Sequence, residues 1–161
     1  MFENLIHNEN IDEIHTSDAY FGKVLLNGEN LLIPYINLGI SNHELNESNN
    51  LKFIDYCYFV AIDFSFLKIN DNIILDNLKN KYNPLESSYL GGYDMLGNQN
   101  VFDIEVQANK RFIQLVKNYK IDEQIWIPLK ELSFPIDLDI DTLNDFVNNK
   151  KLPENLMILF K

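Results

Sequence analysis

The side chains in this chain that are able to do chemistry are few, and their spacing fits no common catalytic or metal-binding pattern. Three histidines, His7, His15 and His43, lie in polar segments, and no two are four apart, the interval that turns two imidazoles toward one metal from a helix face. His7 and His15 enclose Glu9, Asp12 and Glu13, which are ligand types without a ligand spacing. Asp137-Leu-Asp-Ile-Asp141 begins like a calcium loop, in which alternate carboxylates converge on one cation. Its sixth position is Thr142 rather than glycine and its twelfth is Asn148 rather than a bidentate glutamate, so the pattern breaks where the turn and the last ligand are needed.

Cys57 stands between Tyr56 and Tyr58 in an apolar run with no basic neighbour to stabilise a thiolate, which predicts an inert core cysteine. Asp55 and Asp63 are eight residues apart in the same run. On one straight strand they share a face but are separated by roughly 26 Å, whereas carboxyl pairs that work together lie within about 5 to 10 Å. Ser87-Ser-Tyr-Leu-Gly-Gly-Tyr-Asp94 carries hydroxyls and a glycine pair, yet neither the nucleophile elbow nor the glycine-rich phosphate cradle. These residues assign no catalytic, metal or cofactor role.

What remains is charge and exposed aromatic surface. The formal net charge is −11 over 161 residues. Residues 1–18 hold Glu3, Glu9, Asp12, Glu13 and Asp18 with no Lys or Arg, and residues 122–145 hold seven carboxylates against Lys130 alone. Those two segments carry −5 and −6, so the rest of the chain is balanced. This polarity opposes binding to nucleic acid or anionic lipid, both negative surfaces. In an extended segment Asp137, Asp139 and Asp141 point to one side, and Asp145 prolongs that stripe; these four are the expected partner-facing residues. Tyr89 and Tyr93 are the expected anchors, being amphipathic side chains in a stretch where Gly91 and Gly92 permit close backbone approach.

The elements that must carry these residues read as sheet. Asn27-Gly28 between two apolar runs predicts a β-hairpin over Gly22–Tyr35, with Pro34 ending the second strand or marking an edge and Ile36–Ile40 resuming it. Residues 41–50 read as an exposed loop, and Lys52–Leu67, aromatic and β-branched on both faces, as one long central strand. Residues 68–82 fit a strand or a short helix, and residues 83–100 read as a long surface loop. Phe102–Ala108 alternates as a half-buried strand; residues 109–119 fit helix or strand, and Gln124–Leu129 is strand-like, which favours an antiparallel meander. A short helix is expected over Thr142–Asn149, followed by Leu156–Phe160 as a final strand or docked tail.

With 46% hydrophobic residues the chain can build one core, so the expectation is a single domain over 1–161, α+β, predominantly antiparallel with a short C-terminal helix. One cysteine excludes an internal disulfide; the opening residues lack a basic region and an apolar run of signal length, and a cytoplasmic location is expected. The 23 asparagines read as a compositional bias. In length, acidity and the Gly22–Tyr35 hairpin followed by an aromatic strand, the chain resembles bacterial immunity proteins of contact-dependent growth inhibition and related polymorphic toxin systems. That resemblance implies a module that binds and occludes a cognate toxin, a basic protein, through an acidic surface. The alternatives are an accessory or regulatory subunit using sheet-edge pairing and, second, a small enzyme of unknown reaction.

Overall fold

A computed structural model describes residues 6–7, 11–41, 45–46, 48, 50–77, 87–101, 103–116, 120–122 and 140–160. Three long strands form its frame: β5 (Asn30–Ile40), β6 (Lys52–Ile69) and β10 (Ile104–Leu115), with β6 in the middle and antiparallel to both. Short strands complete the edges. These are β1 (Ile6–His7), β2 (Ile14–His15), β3 (Tyr20–Phe21), β4 (Leu25–Asn27), β7 (Asn72–Asp76), β8 (Ser87–Leu90), β9 (Tyr93–Asp94) and β11 (Ile121–Asp122).

Two segments join opposite edges of the frame. β8 pairs with β10, and after Gly91-Gly92 the same chain continues as β9 against β3, which itself lies on β5. In the same way β1 pairs with β10 while β2 pairs with β5. Continuous chain thereby bridges the two edges of the sheet. Because β3 and β9 run parallel, the sheet is mixed, which corrects the expectation of antiparallel pairing at that edge.

The bridged, curled sheet has an inside and an outside, which explains why β6 is apolar on both faces. Cys57, Phe59 and Ala61 point inward to a core shared with Leu31, Ile33, Tyr35, Ile113 and Leu90. Tyr56, Tyr58 and Val60 point outward beneath the helices, with Leu32, Ile36 and Phe112. A bend interrupts the alternation at each end. Asn37, at φ 63°, lets both Ile36 and Leu38 be buried on opposite faces, and Asp63, at φ 54°, puts partly buried Ile62 and buried Phe64 on opposite faces. Sheet curvature needs such local departures from regular pleating.

Pro34 does not end β5 and β5 is no edge; the strand runs through it between β6 and the β3–β4 side. Its carbonyl accepts the Gly22 amide at 2.9 Å, so its donor-less nitrogen faces residues 22–24, where that neighbouring ladder is interrupted. The hairpin turn is one residue later than Asn27-Gly28 implies. Asn27 pairs with Asn30, and Gly28, at φ 60°, is the first central residue of the turn.

Other elements decide between the alternatives the sequence left open or depart from its reading. Residues 72–76 are strand, and Ile104–Leu115 is one continuous strand rather than two pieces of a meander. Residues 117–119, 123–139, 78–86 and His43 lie outside the described residues, as does the run Gln124–Leu129. Instead of a loop over 83–100, Ser87–Leu90 and Tyr93–Asp94 are sheet; buried Ser87 and Ser88 stand where apolar alternation would have revealed a strand. Gly92 is required here: at φ 114° its absent Cβ would lie 2.7 Å from the Ala19 carbonyl oxygen.

Two helices cover the outer cluster, α1 (Ile140–Val147) and α2 (Glu154–Phe160). Leu156–Phe160 is thus helical, not strand or tail: Leu156 is buried and Ile158 exposed, and the Leu156 and Met157 amides bond back to the Pro153 carbonyl. α1 ends in a Schellman turn, with Lys150 N–H to the Asp145 carbonyl (2.9 Å) and Asn149 N–H to the Phe146 carbonyl (3.1 Å), Asn149 adopting φ 57°. The Val147 carbonyl then accepts the Lys23 amide at 2.7 Å, and Gly22 leaves room for that approach. None of the described helices is long and apolar enough to cross a membrane.

Candidate functional site

Between the outer face of β6 and α1 lies a cavity of about 350 Å³, lined by Asp55, Tyr56, Tyr58, Val116, Thr142, Asp145, Phe146 and Lys151. Two independent elements build it. β6 presents Tyr56 and Tyr58 on one face because of the strand's two-residue period, and α1 lowers Phe146 between them. The Phe146 ring stands 4.8 Å from that of Tyr56, edge-on, and 4.9 Å from that of Tyr58. These three rings form an aromatic wall.

Asp55 is the unusual member. It is only 6% exposed, and its Oδ1 accepts two backbone amides, Tyr56 N–H at 2.7 Å and Lys120 N–H at 3.0 Å. Oδ2 has no hydrogen bond to the described residues, and Asp55 lines the cavity. Burial pushes its pKa above the usual carboxylate value, and the amides of Lys120 and Tyr56 and the Lys120 charge only partly offset that. At the other side Asp145 pairs with Lys151 at 3.1 Å, the lysine side chain being 82% exposed.

The expected site residues are distributed unevenly. Asp145 lies in the cavity lining, and Asp141 is exposed on the first turn of α1, where a carboxylate suits the helix dipole. Asp137 and Asp139 lie outside the described residues. Tyr93 is 44% exposed, with its ring 5.3 Å from that of Tyr20, a member of the cluster beneath the helices. Tyr89, 69% exposed, stands apart on β8, beside a smaller depression of about 140 Å³ with Ile11, Ile14 and Leu90. The glycines between the tyrosines serve the bridging of the sheet edges: the Gly91 carbonyl accepts the Tyr35 hydroxyl at 2.8 Å and its amide donates to Thr16 Oγ1 at 2.8 Å.

Other candidate residues separate. Asp63 is exposed at the bend, so it does not share the cavity with Asp55. His7 is on β1 beside β10, and His15 is on β2 beside β5 with its Nε2 2.6 Å from Ser41 Oγ. Cys57 is wholly buried, and burial pushes its thiol pKa far up. Sequence reasoning tested Asp55 only against Asp63; its true neighbours, Asp145 and Phe146, are some ninety residues away. Their convergence has no sequence signature.

Compared with protein-family models, curated proteins and solved structures, the chain shows no match to any of them.

Proposed function

We propose that this chain is a protein-binding module that engages a basic partner, acting as an immunity protein that occludes a cognate toxin. The observation supporting this reading is the joining of helix carboxylates to a cavity: Asp145, half-buried and paired with Lys151, lines it, and exposed Asp141 stands on the same helix. Acidic groups so placed attract a basic surface from a distance, and a recess beside them gives that surface something to fill. Charge complementarity then accelerates encounter, and occlusion follows from occupying the partner's basic groove. The site supports binding and names no reacting centre.

Conversion of Asp137, Asp139, Asp141 and Asp145 together to Asn tests it. Association with the cognate toxin slows, and its salt dependence flattens; co-expression of the unaltered chain with that toxin restores growth. Unchanged association rates at low salt remove this surface from the interface.

A second reading, an accessory subunit that takes a partner strand, has its own observation. β7 pairs with β6, and its Ile73 and Ile74 are 60% and 51% exposed at a register shift in that pairing. No other described strand pairs with β7. An edge of this kind accepts strand addition. Ile74→Lys abolishes partner binding under this reading and leaves it unchanged under the first.

A further inference from the structure

We infer that the cavity between β6 and α1 is a receptor for a single monovalent organic cation, the guanidinium or ammonium end of an arginine or lysine side chain that the partner inserts. The inference rests on the protein-binding reading and specifies its anchor.

Three features of the cavity converge on that chemistry. The first is charge. Asp145 is matched by Lys151 at 3.1 Å, whereas Asp55 makes no ion pair within 4 Å among the described residues and is offset only in part by the Lys120 charge, so its carboxylate is the less compensated of the two in the lining. A monovalent cation balances it; a divalent metal ion asks for several oxygen ligands that converge, and no group of three His, Cys, Asp or Glu side chains does so among the described residues. The second is hydrogen bonding. Oδ1 is saturated by two amides while Oδ2 has no hydrogen bond among the described residues, an open acceptor on a residue only 6% exposed. The third is the wall. Tyr56, Tyr58 and Phe146 line the cavity with ring surface for the methylene stem and the cation, a combination that proteins use to hold alkylammonium and guanidinium groups.

Burial of Asp55 agrees with this arrangement, since a cation at Oδ2 relieves a carboxylate that its surroundings solvate incompletely. A volume near 350 Å³ also lies at the lower end of ligand-sized cavities. Lys151 is the competing charge. Being 82% exposed and bound to Asp145 across a solvated pair, it is easily displaced and sets a modest barrier to entry.

The test uses the full chain, without its partner, titrated with n-butylguanidinium, n-butylammonium, the neutral isostere n-butylurea and Mg²⁺, with aromatic NMR signals of Tyr56, Tyr58 and Phe146 as readout. Saturable shifts with the two organic cations and none with n-butylurea or Mg²⁺ are expected. Asp55→Asn, which keeps an Oδ1 acceptor for both amides, weakens n-butylguanidinium binding at least tenfold. Lys151→Met, at an exposed position that leaves the fold intact, tightens it about threefold. Equal binding of n-butylurea, binding only of Mg²⁺, undiminished binding to a folded Asp55→Asn chain, or no effect of Lys151→Met overturns the inference. The partner is absent, so failure here leaves the acidic-surface reading standing. Conversely, if cation binding holds while the fourfold Asp variant associates normally, only that surface reading falls.

Discussion

Gln114 of β10 and Asn155 of α2 exchange two hydrogen bonds, Gln114 Nε2 to Asn155 Oδ1 at 3.0 Å and Asn155 Nδ2 to Gln114 Oε1 at 2.7 Å. Gln114 is fully buried, so this reciprocal amide pair satisfies a polar group in an otherwise apolar contact and locks α2 in register over the sheet. Asn155→Ala strands the Gln114 amide and costs about 1–3 kcal/mol of stability, as does Gln114→Ala. In urea unfolding the double variant loses clearly less than the sum of the two, because the second removal no longer abandons a buried partner. Additive losses refute the pairing.

Gly92 and Gly28 both have positive φ but answer differently to a side chain. At Gly28 a Cβ meets nothing within 4 Å, whereas at Gly92 it meets the Ala19 and Thr16 carbonyl oxygens at 2.7 and 3.1 Å. Gly28→Asn therefore changes stability by less than about 1 kcal/mol, since asparagine tolerates this region. Gly92→Ala costs more than that and loosens the β8–β9 bridge. Hydrogen exchange of the Tyr93 amide, bound to the Ala19 carbonyl at 2.9 Å, reads the difference.

Two aspartates respond to pH with opposite sign. Asp55 is raised by burial, so the folded state keeps its proton to higher pH than the unfolded chain. Its penalty is absent below the ordinary value of 3.8 and grows as pH rises through the raised folded value. Asp94 is subject to a burial effect that raises its pKa. Hydrogen bonds from Gln99 Nε2 (2.9 Å), Gln99 N–H (3.1 Å) and Leu96 N–H (3.0 Å) outweigh it and lower the net pKa. Its stabilisation is present above 3.8 and disappears as pH falls through the lowered folded value. Urea midpoints followed from about pH 7 to pH 3 show Asp55→Asn gaining on the unaltered chain toward neutrality, and Asp94→Ala losing most there.

Phe146 joins α1 to both tyrosines of β6 at ring distances of 4.8 and 4.9 Å. Phe146→Ala removes that contact and costs about 3–5 kcal/mol. Near-ultraviolet circular dichroism loses tyrosine signal in parallel. Ile158→Ser, by contrast, alters a side chain that is 82% exposed and stays within about 0.5 kcal/mol in urea unfolding.

How far the chain discloses its own structure depends on the range over which each constraint acts. The long run Lys52–Leu67 announced β6, and Asn27-Gly28 announced the hairpin, because alternation and turn chemistry are local and leave their mark within a few residues. Asparagine abundance, read as compositional bias, has a structural use. Asn37, Asn70, Asn100 and Asn149 supply four of the five positive-φ residues other than glycine in the described chain, at a strand bend, a hairpin turn, a loop and a helix end. No local pattern distinguished these from the remaining asparagines, since the demand for positive φ arises from the path of the chain around them.

The sequence by itself determined acidity, a β-rich class, the placement of β6 and the helix around Leu143, Phe146 and Val147. Only the tertiary structure decided that Ser87–Asp94 bridges the edges of the sheet, that Leu156–Phe160 turns helical against β4 and β10, and that Asp55 meets Asp145 and Phe146 across one cavity. Those outcomes come from closing contacts between residues tens of positions apart, where burial on both faces of a curled sheet outweighs short-range preference. A carboxylate oxygen without a hydrogen bond among the described residues is visible only once its neighbours have arrived.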